Sequence, residues 1–210
     1  MVTAYSRGSE NFKGYLPYLD RFFCDGRTAP FPEGRFSETK RIIVCDGVSQ
    51  FPAPDVVEYT AADLTAGLDV LDRVRFEDPE TAVAHLRCVV GLTAASALAK
   101  IQNHELRMGA TTVVVCYAER NRLYYAWVGD SRLYRFANGI LGQLTTDHFS
   151  GKKISAEEMR QFAVGLLDTS DLITPYRAHP TRLVGTASFE PDGGHMEMEE
   201  DDVLLHAQTG

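Results

Sequence analysis

At 210 residues, 44% of them hydrophobic, the chain can bury one sizeable core, and a single domain over residues 1–210 is expected. A formal net charge of −8 provides no positive field for phosphate backbones or anionic lipid, so nucleic acid and membrane surfaces are not expected partners. Four cysteines, Cys24, Cys45, Cys88 and Cys116, lack any CxxC spacing, which argues against a zinc site and predicts buried thiols.

The N-terminal stretch MVTAYSRGSENFKGYL has no basic segment leading into an apolar run, and no run of about 18 apolar residues occurs, so a soluble, cytoplasmic protein is expected. In chain order, IIVC before Asp46-Gly47 predicts a buried strand closed by a tight turn. From Pro54-Asp55 the pattern changes to helical spacing, with Val56, Tyr59, Leu64, Leu68 and Leu71 on one face. A second long helix is predicted over residues 79–107, entered through Asp78-Pro79-Glu80 and carrying His85 and His104. The β-rich runs of TTVVVCYAERNRLYYAWVGDSRLYRFANGILGQLT, parted by ERN, GDS and ANG turns, predict an antiparallel meander. Ser155, three residues before Glu158, has capping-box spacing and predicts a short helix over 154–165. A turn at Pro191-Asp192-Gly193-Gly194 then returns the chain to strand, and the acidic run from Glu197 to Asp202 is expected as a solvated turn. Strands, two helices and more strands give an α+β order, with sheets covered by helices.

Acidic residues recur beside glycine at strand ends, at Asp46-Gly47 and at Gly129-Asp130-Ser131. Carboxylates leaving strands at one edge can converge on Mg²⁺ or Mn²⁺, which prefer oxygen ligands, and such a site can activate water beside a phosphoryl group. The same dipeptides are also common turns. Asp147-His148 raises the question of a hydrolase triad, but no GxSxG segment accompanies it. Trp127 is expected in the core or packed on a strand face.

Residues 108–148, MGATTVVVCYAERNRLYYAWVGDSRLYRFANGILGQLTTDH, resemble the core of the metal-dependent type 2C (PPM-type) protein serine/threonine phosphatases, with GTT, VGDSR and LTxDH elements in one order. IIVCDG, YLDRFF, HPTRLVGTAS and DDVLLHAQTG extend the resemblance over nearly the whole chain. It implies a central sandwich of two antiparallel sheets flanked by helices. It also implies a cleft where Mn²⁺ or Mg²⁺ activates water against phosphoserine or phosphothreonine in a phosphoprotein. Carried over by residue, Asp46 matches the metal-bridging aspartate, Gly47 the glycine whose carbonyl touches a metal, and Asp130 an aspartate linked to a further, weaker metal. Asp20 matches the second acid of the first acidic motif and would act through metal-bound water.

Departures from the family pattern are equally specific. Leu19 stands where the family has a metal-binding glutamate, unless a shifted first strand brings Glu10 there. Thr209 stands in place of a metal-binding aspartate, and a hydroxyl is a poorer ligand than a carboxylate. The last aspartate of the family lies on a strand beyond Gly210, so a C-terminally incomplete domain is expected, with an unpaired sheet edge through which two copies could form a homodimer. The basic residue that grips phosphate falls near Tyr15, where Lys13 or Arg7 could substitute, and Val48, Ser49 and Gln50 replace a histidine and a glycine pair. Two functions therefore compete: a phosphatase with an incomplete metal site, and an inactive relative that binds phosphoproteins or another protein partner.

Overall fold

The computed structural model describes residues 4–6, 21–24, 27–29, 34–36, 40–48, 53–150 and 179–207. In chain order these form β1 (Ala4–Ser6), β2 (Arg21–Cys24), β3 (Arg27–Ala29), β4 (Gly34–Phe36), β5 (Arg41–Gly47), α1 (Pro54–Leu71), α2 (Pro79–Gln102), β6 (Thr111–Glu119), β7 (Arg122–Val128), β8 (Arg132–Ala137), β9 (Ile140–Gln143), β10 (Phe149–Ser150), β11 (His179–Pro180), β12 (Asp192–Glu197) and β13 (Val203–Ala207). A helix predicted over 154–165, together with Asp20, Leu19, Tyr15 and Thr209, lies outside the described residues.

Both helices begin as their sequences dictate. Pro54 opens α1 and Pro79 opens α2, each at a position where the missing N–H costs no intrahelical bond. Asp78 caps α2, its carboxylate accepting the Thr81 N–H at 2.8 Å and the Thr81 hydroxyl at 2.8 Å; such a cap contributes about 1 kcal/mol. The buried faces are helical in period, with Val56, Val57, Thr60, Ala61, Leu64, Leu68 and Leu71 on α1 and Ala82, Val83, Leu86, Val90, Thr93, Ala94 and Ala97 on α2. The helices meet closely: a Cβ on Gly67 would lie 2.5 Å from Val89 Cγ1. Between them the Thr93 hydroxyl donates to Asp63 at 2.6 Å, which satisfies a carboxylate at the seam. By length and mean hydropathy α2 is apolar enough to cross a membrane. Here its apolar face instead packs on the sheet.

Strand β6 is buried along nearly its whole length, which explains its unbroken apolar run. It lies inside a six-stranded antiparallel sheet of order β12-β7-β6-β5-β2-β3. Alternation along β6 sorts the core in two. Val113, Val115 and Tyr117 join Ile43, Cys45, Ala126 and Val128 under the helices. Val114, Cys116 and Ala118 join Leu123, Tyr125 and Trp127 on the other face, against Leu133, Leu144 and Leu204 of the second sheet region. That second sheet has three antiparallel strands, ordered β13-β8-β9. The architecture is thus the expected α+β sandwich of two antiparallel sheets, with helices on the outer face of the larger one. Each fully buried Leu, Ile or Val in these two layers contributes roughly 1.5–3 kcal/mol.

Several sequence expectations need correction. The meander is not continuous: β6 pairs with β7 and β8 with β9, but β7 and β8 belong to different sheets, so the GDS segment is a crossing between layers. Two apolar faces have to be covered, and a chain that changes sheets covers both. Asp192-Gly193-Gly194 is strand, paired with Trp127, Ala126 and Tyr125, because glycine there admits the Arg87 and Val83 side chains of α2. Cys88 is exposed on the outer face of α2, unlike the buried Cys45 and Cys116. His104 falls just past α2, at φ 59°, while His85 is helical. The acidic run does form a largely exposed turn, although its last member, Asp202, pairs with Arg135 at 2.7 Å.

Candidate metal centre

Antiparallel pairing brings the ends of two aspartate-bearing strands to the same edge of the larger sheet. Asp46 ends β5 opposite Thr112, and Gly47 lies opposite Thr111. On the other side of β6, Val128 ends β7 opposite Val113, so that Gly129-Asp130 leaves the sheet beside Thr112. The buried run Ile43-Val44-Cys45 pins β5 in register and thereby places Asp46. The Thr111 hydroxyl donates to the Asp46 carbonyl at 2.9 Å, which ties β6 to that strand end.

Gly129 is required by geometry. Its φ is +106°, and a Cβ there would stand 2.6 Å from Thr112 Cγ2 and 2.7 Å from Thr112 Cβ. No L side chain fits without displacing β6. Beyond the glycine, the hydroxyls of Ser131 and Thr112 lie 2.6 Å apart in a buried hydrogen bond. Thr112 is therefore the common neighbour of both aspartate-bearing segments.

A layer of paired charge supports the crossing. Arg132 clasps Asp147 with two donors, Nε at 2.9 Å from Oδ1 and Nη2 at 2.7 Å from Oδ2, and the carboxylate is only 4% exposed. Asp147 holds the guanidinium above its ordinary range. His148 donates its backbone N–H to the Gly129 carbonyl at 3.0 Å. Its Nδ1 in turn accepts the Gly129 N–H at 3.2 Å, and its Nε2 lies 2.9 Å from Asp192 Oδ2. Its ring stacks on Trp127 with centroids 5.8 Å apart, and the Trp127 Nε1–H donates to the Thr146 carbonyl at 2.8 Å. Burial pushes the Asp192 carboxyl up, but the His148 hydrogen bond and the neighbouring positive charges of Arg182 and Arg87 outweigh it and hold the group below its usual range.

Of the residues predicted from sequence, Asp46, Gly47 and Asp130 come to one edge. Strand β2 starts at that edge too, with Arg21 opposite Cys45, while Asp20 itself lies outside the described residues. Val48 donates its N–H to the Ala110 carbonyl at 3.0 Å, a backbone role that asks nothing of the side chain. The carboxylates of Asp46 and Asp130 and the Gly47 carbonyl are hard oxygen donors, which suits Mg²⁺ or Mn²⁺. In number they fall short, since no group of three or more His, Cys, Asp and Glu forms a metal cluster among the described residues. Sequence reasoning assigned no site role to Thr111, Thr112, Ser131, Arg132, Arg182 or Asp192. The threonine pair opening a buried strand was a local signal; the His148–Asp192 pairing, across 44 residues, had none.

Comparison with known proteins bears on the fold that carries this edge. The family model described as protein phosphatase 2C matches residues 68–154, a span that includes α2, the crossing and His148. The Mycobacterium tuberculosis serine/threonine phosphatase PstP/Ppp shares 19% identity at a TM-score of 0.60, covering 98% of this chain and 76% of that one. An S. agalactiae serine/threonine phosphatase shares 21% identity at 0.59, over 97% of this chain and 75% of that one. The catalytic domain of PstP in complex with two manganese ions gives 18% identity at 0.58, over 98% and 75%. A search of curated proteins gives no match. Over residues 68–154 the chain is therefore similar to the protein phosphatase 2C family, and its fold is that of the family's solved members.

Proposed function

We propose that this chain is a metal-dependent protein serine/threonine phosphatase domain whose substrate is a phosphoprotein. The observation that carries the reading is the convergence of Asp46-Gly47 and Gly129-Asp130 on the two sides of Thr112. Asp46, the Gly47 carbonyl, Asp130 and, by resemblance, Asp20 would hold Mn²⁺ or Mg²⁺. A cation so held supplies charge neutralisation for phosphoryl oxygens and an activated water. The protein's own contribution is placement: the Thr111 hydroxyl fixes the Asp46 backbone, and Ser131 with Thr112 fixes the start of β8. Because the chain is acidic overall, a phosphate dianion gains nothing from its net field, and the local cation has to supply the attraction.

A second reading has its own support. Leu19 and Thr209 stand where the family resemblance puts carboxylates, and loss of two anionic ligands weakens binding of a reluctantly dehydrated ion. On that reading the chain binds phosphoproteins or another partner without hydrolysing them.

Phosphate release from phosphoserine and phosphothreonine peptides, with and without Mn²⁺, separates the two. The phosphatase reading predicts Mn²⁺-dependent release that falls about 100-fold or more in Asp46→Ala, since even residues behind a ligand change activity 10–100-fold. Peptide binding with no release at any Mn²⁺ concentration would favour the second reading.

A further inference from the structure

We propose that His148 is a positioning residue that sets the direction in which the Gly129-Asp130 turn leaves the sheet. The inference deepens the metal reading and rests on it only for the purpose of the placement, not for the placement itself. Gly129 is bonded to His148 through both of its backbone groups: its carbonyl accepts the His148 N–H at 3.0 Å, and its N–H donates to Nδ1 at 3.2 Å. An Nδ1 that accepts an N–H carries no proton, so in the neutral ring the proton sits on Nε2. There it donates to Asp192 Oδ2 at 2.9 Å, and an ionised carboxylate can only accept. Backbone amide, imidazole and carboxylate thus form one directed chain of hydrogen bonds.

The ring itself has little freedom. It is buried and stacked on Trp127 at an interplanar angle of 19°. Asp192, at the start of β12, is 45% exposed and is also reached by Arg182 Nη1 at 3.3 Å, which further donates to the Glu190 carbonyl at 3.1 Å. Gly129 cannot hold itself in place with a side chain, because no Cβ fits over Thr112. Its position is therefore set by its two bonds to His148, and Asp130 is the next residue along. Supporting groups of this kind typically change metal affinity 10–100-fold when removed.

The test measures amide hydrogen exchange at Gly129, Asp130 and Val115 by NMR, together with titration of Mn²⁺, in the full chain and three variants. His148→Phe keeps a ring over Trp127 and removes both nitrogens; His148→Asn keeps an acceptor near the Nδ1 position; Asp192→Ala removes the carboxylate from a partly exposed site. Expected in His148→Phe is at least a tenfold loss of protection at Gly129 and Asp130 with Val115 unchanged, and about tenfold weaker Mn²⁺ binding. His148→Asn restores both to within about threefold, and Asp192→Ala gives a smaller loss confined to the same two amides. Equal protection of Gly129 in the parent chain and His148→Phe overturns the proposal, as does a loss shared equally by Val115, which would mark a merely structural histidine. Should His148→Phe fail to fold, Gly129 protection in Asp192→Ala decides the matter. A parent chain that binds no Mn²⁺ would refute the metal reading, and the exchange pattern would still decide the role of His148.

Discussion

Strand β8 joins two glycine turns that have opposite origins. At its far end Asn138-Gly139, with φ of 51° and 78°, links β8 to β9 as a two-residue hairpin, and a Cβ on Gly139 would meet nothing within 4 Å. At its near end Gly129-Asp130 crosses from one sheet to the other, and a Cβ on Gly129 would collide with Thr112. Local chain preference makes the first turn, since Asn-Gly favours the twist a hairpin needs. Packing makes the second, through Thr112, His148, Ser131 and the Arg132–Asp147 pair. Only the turn held by its surroundings carries a candidate ligand, which is consistent with functional geometry being fixed by packed support rather than by local propensity.

The largest effect that would sharpen this contrast is expected from Gly129→Ala. Strain at positive φ and the clash with Thr112 together should cost about 4 kcal/mol, against about 1 kcal/mol for Gly139→Ala, where only the backbone conformation is disfavoured. Urea unfolding of the two variants measures the difference directly; equal losses would break the comparison. Next comes Asp147→Ala, which leaves the Arg132 guanidinium beneath the crossing without its clasp and should cost about 3 kcal/mol. The same change at Glu197, whose contact with Arg122 is exposed, should stay within about 0.5 kcal/mol in the same assay.

A smaller effect concerns β13, which braces β8 by pairing His206 with Leu133. Burial lowers the His206 imidazole from 6.5 to about 4, and its Nε2 has no hydrogen-bond partner among the described residues. The unfolded chain takes up that proton near pH 6.5 and the folded chain only near pH 4, so this group's share of stability is complete above pH 6.5 and is lost as the pH falls toward 4. By pH 5 the loss should reach about 2 kcal/mol. Denaturant midpoints of the parent and His206→Leu, compared at pH 7 and pH 5, should show a flatter acid response in the variant; parallel responses would remove His206 from the account.

Much of this fold was legible because each signal was local. Pro54, Asp78-Pro79 and the periodic leucines announce the helices, and the unbroken apolar run of β6 announces a strand covered on both sides. Asp46-Gly47 and Gly129-Asp130 stood out as acids beside glycine at strand ends. Whether a turn reverses a chain within one sheet or carries it to another depends on partners distant in sequence, so GDS looked like one more hairpin. Asp192-Gly193-Gly194 misled for a related reason: its glycines serve close packing under Arg87 and Val83, not a turn. Cys88 sits in an apolar run, yet its helical phase points it outward, where the run itself gave no hint. The His148 clamp was invisible because its partners come from the end of β7 and from the start of β12, far apart in sequence.

The central claim is that the edge carrying Asp46 and Asp130 holds a divalent cation. Isothermal titration of Mn²⁺ into the purified chain, with Asp46→Ala beside it and circular dichroism to confirm that both are folded, tests it most directly. Saturable binding in the micromolar range that disappears in Asp46→Ala is the predicted result. No binding up to millimolar Mn²⁺ in the parent chain, or binding unchanged in Asp46→Ala, would contradict it.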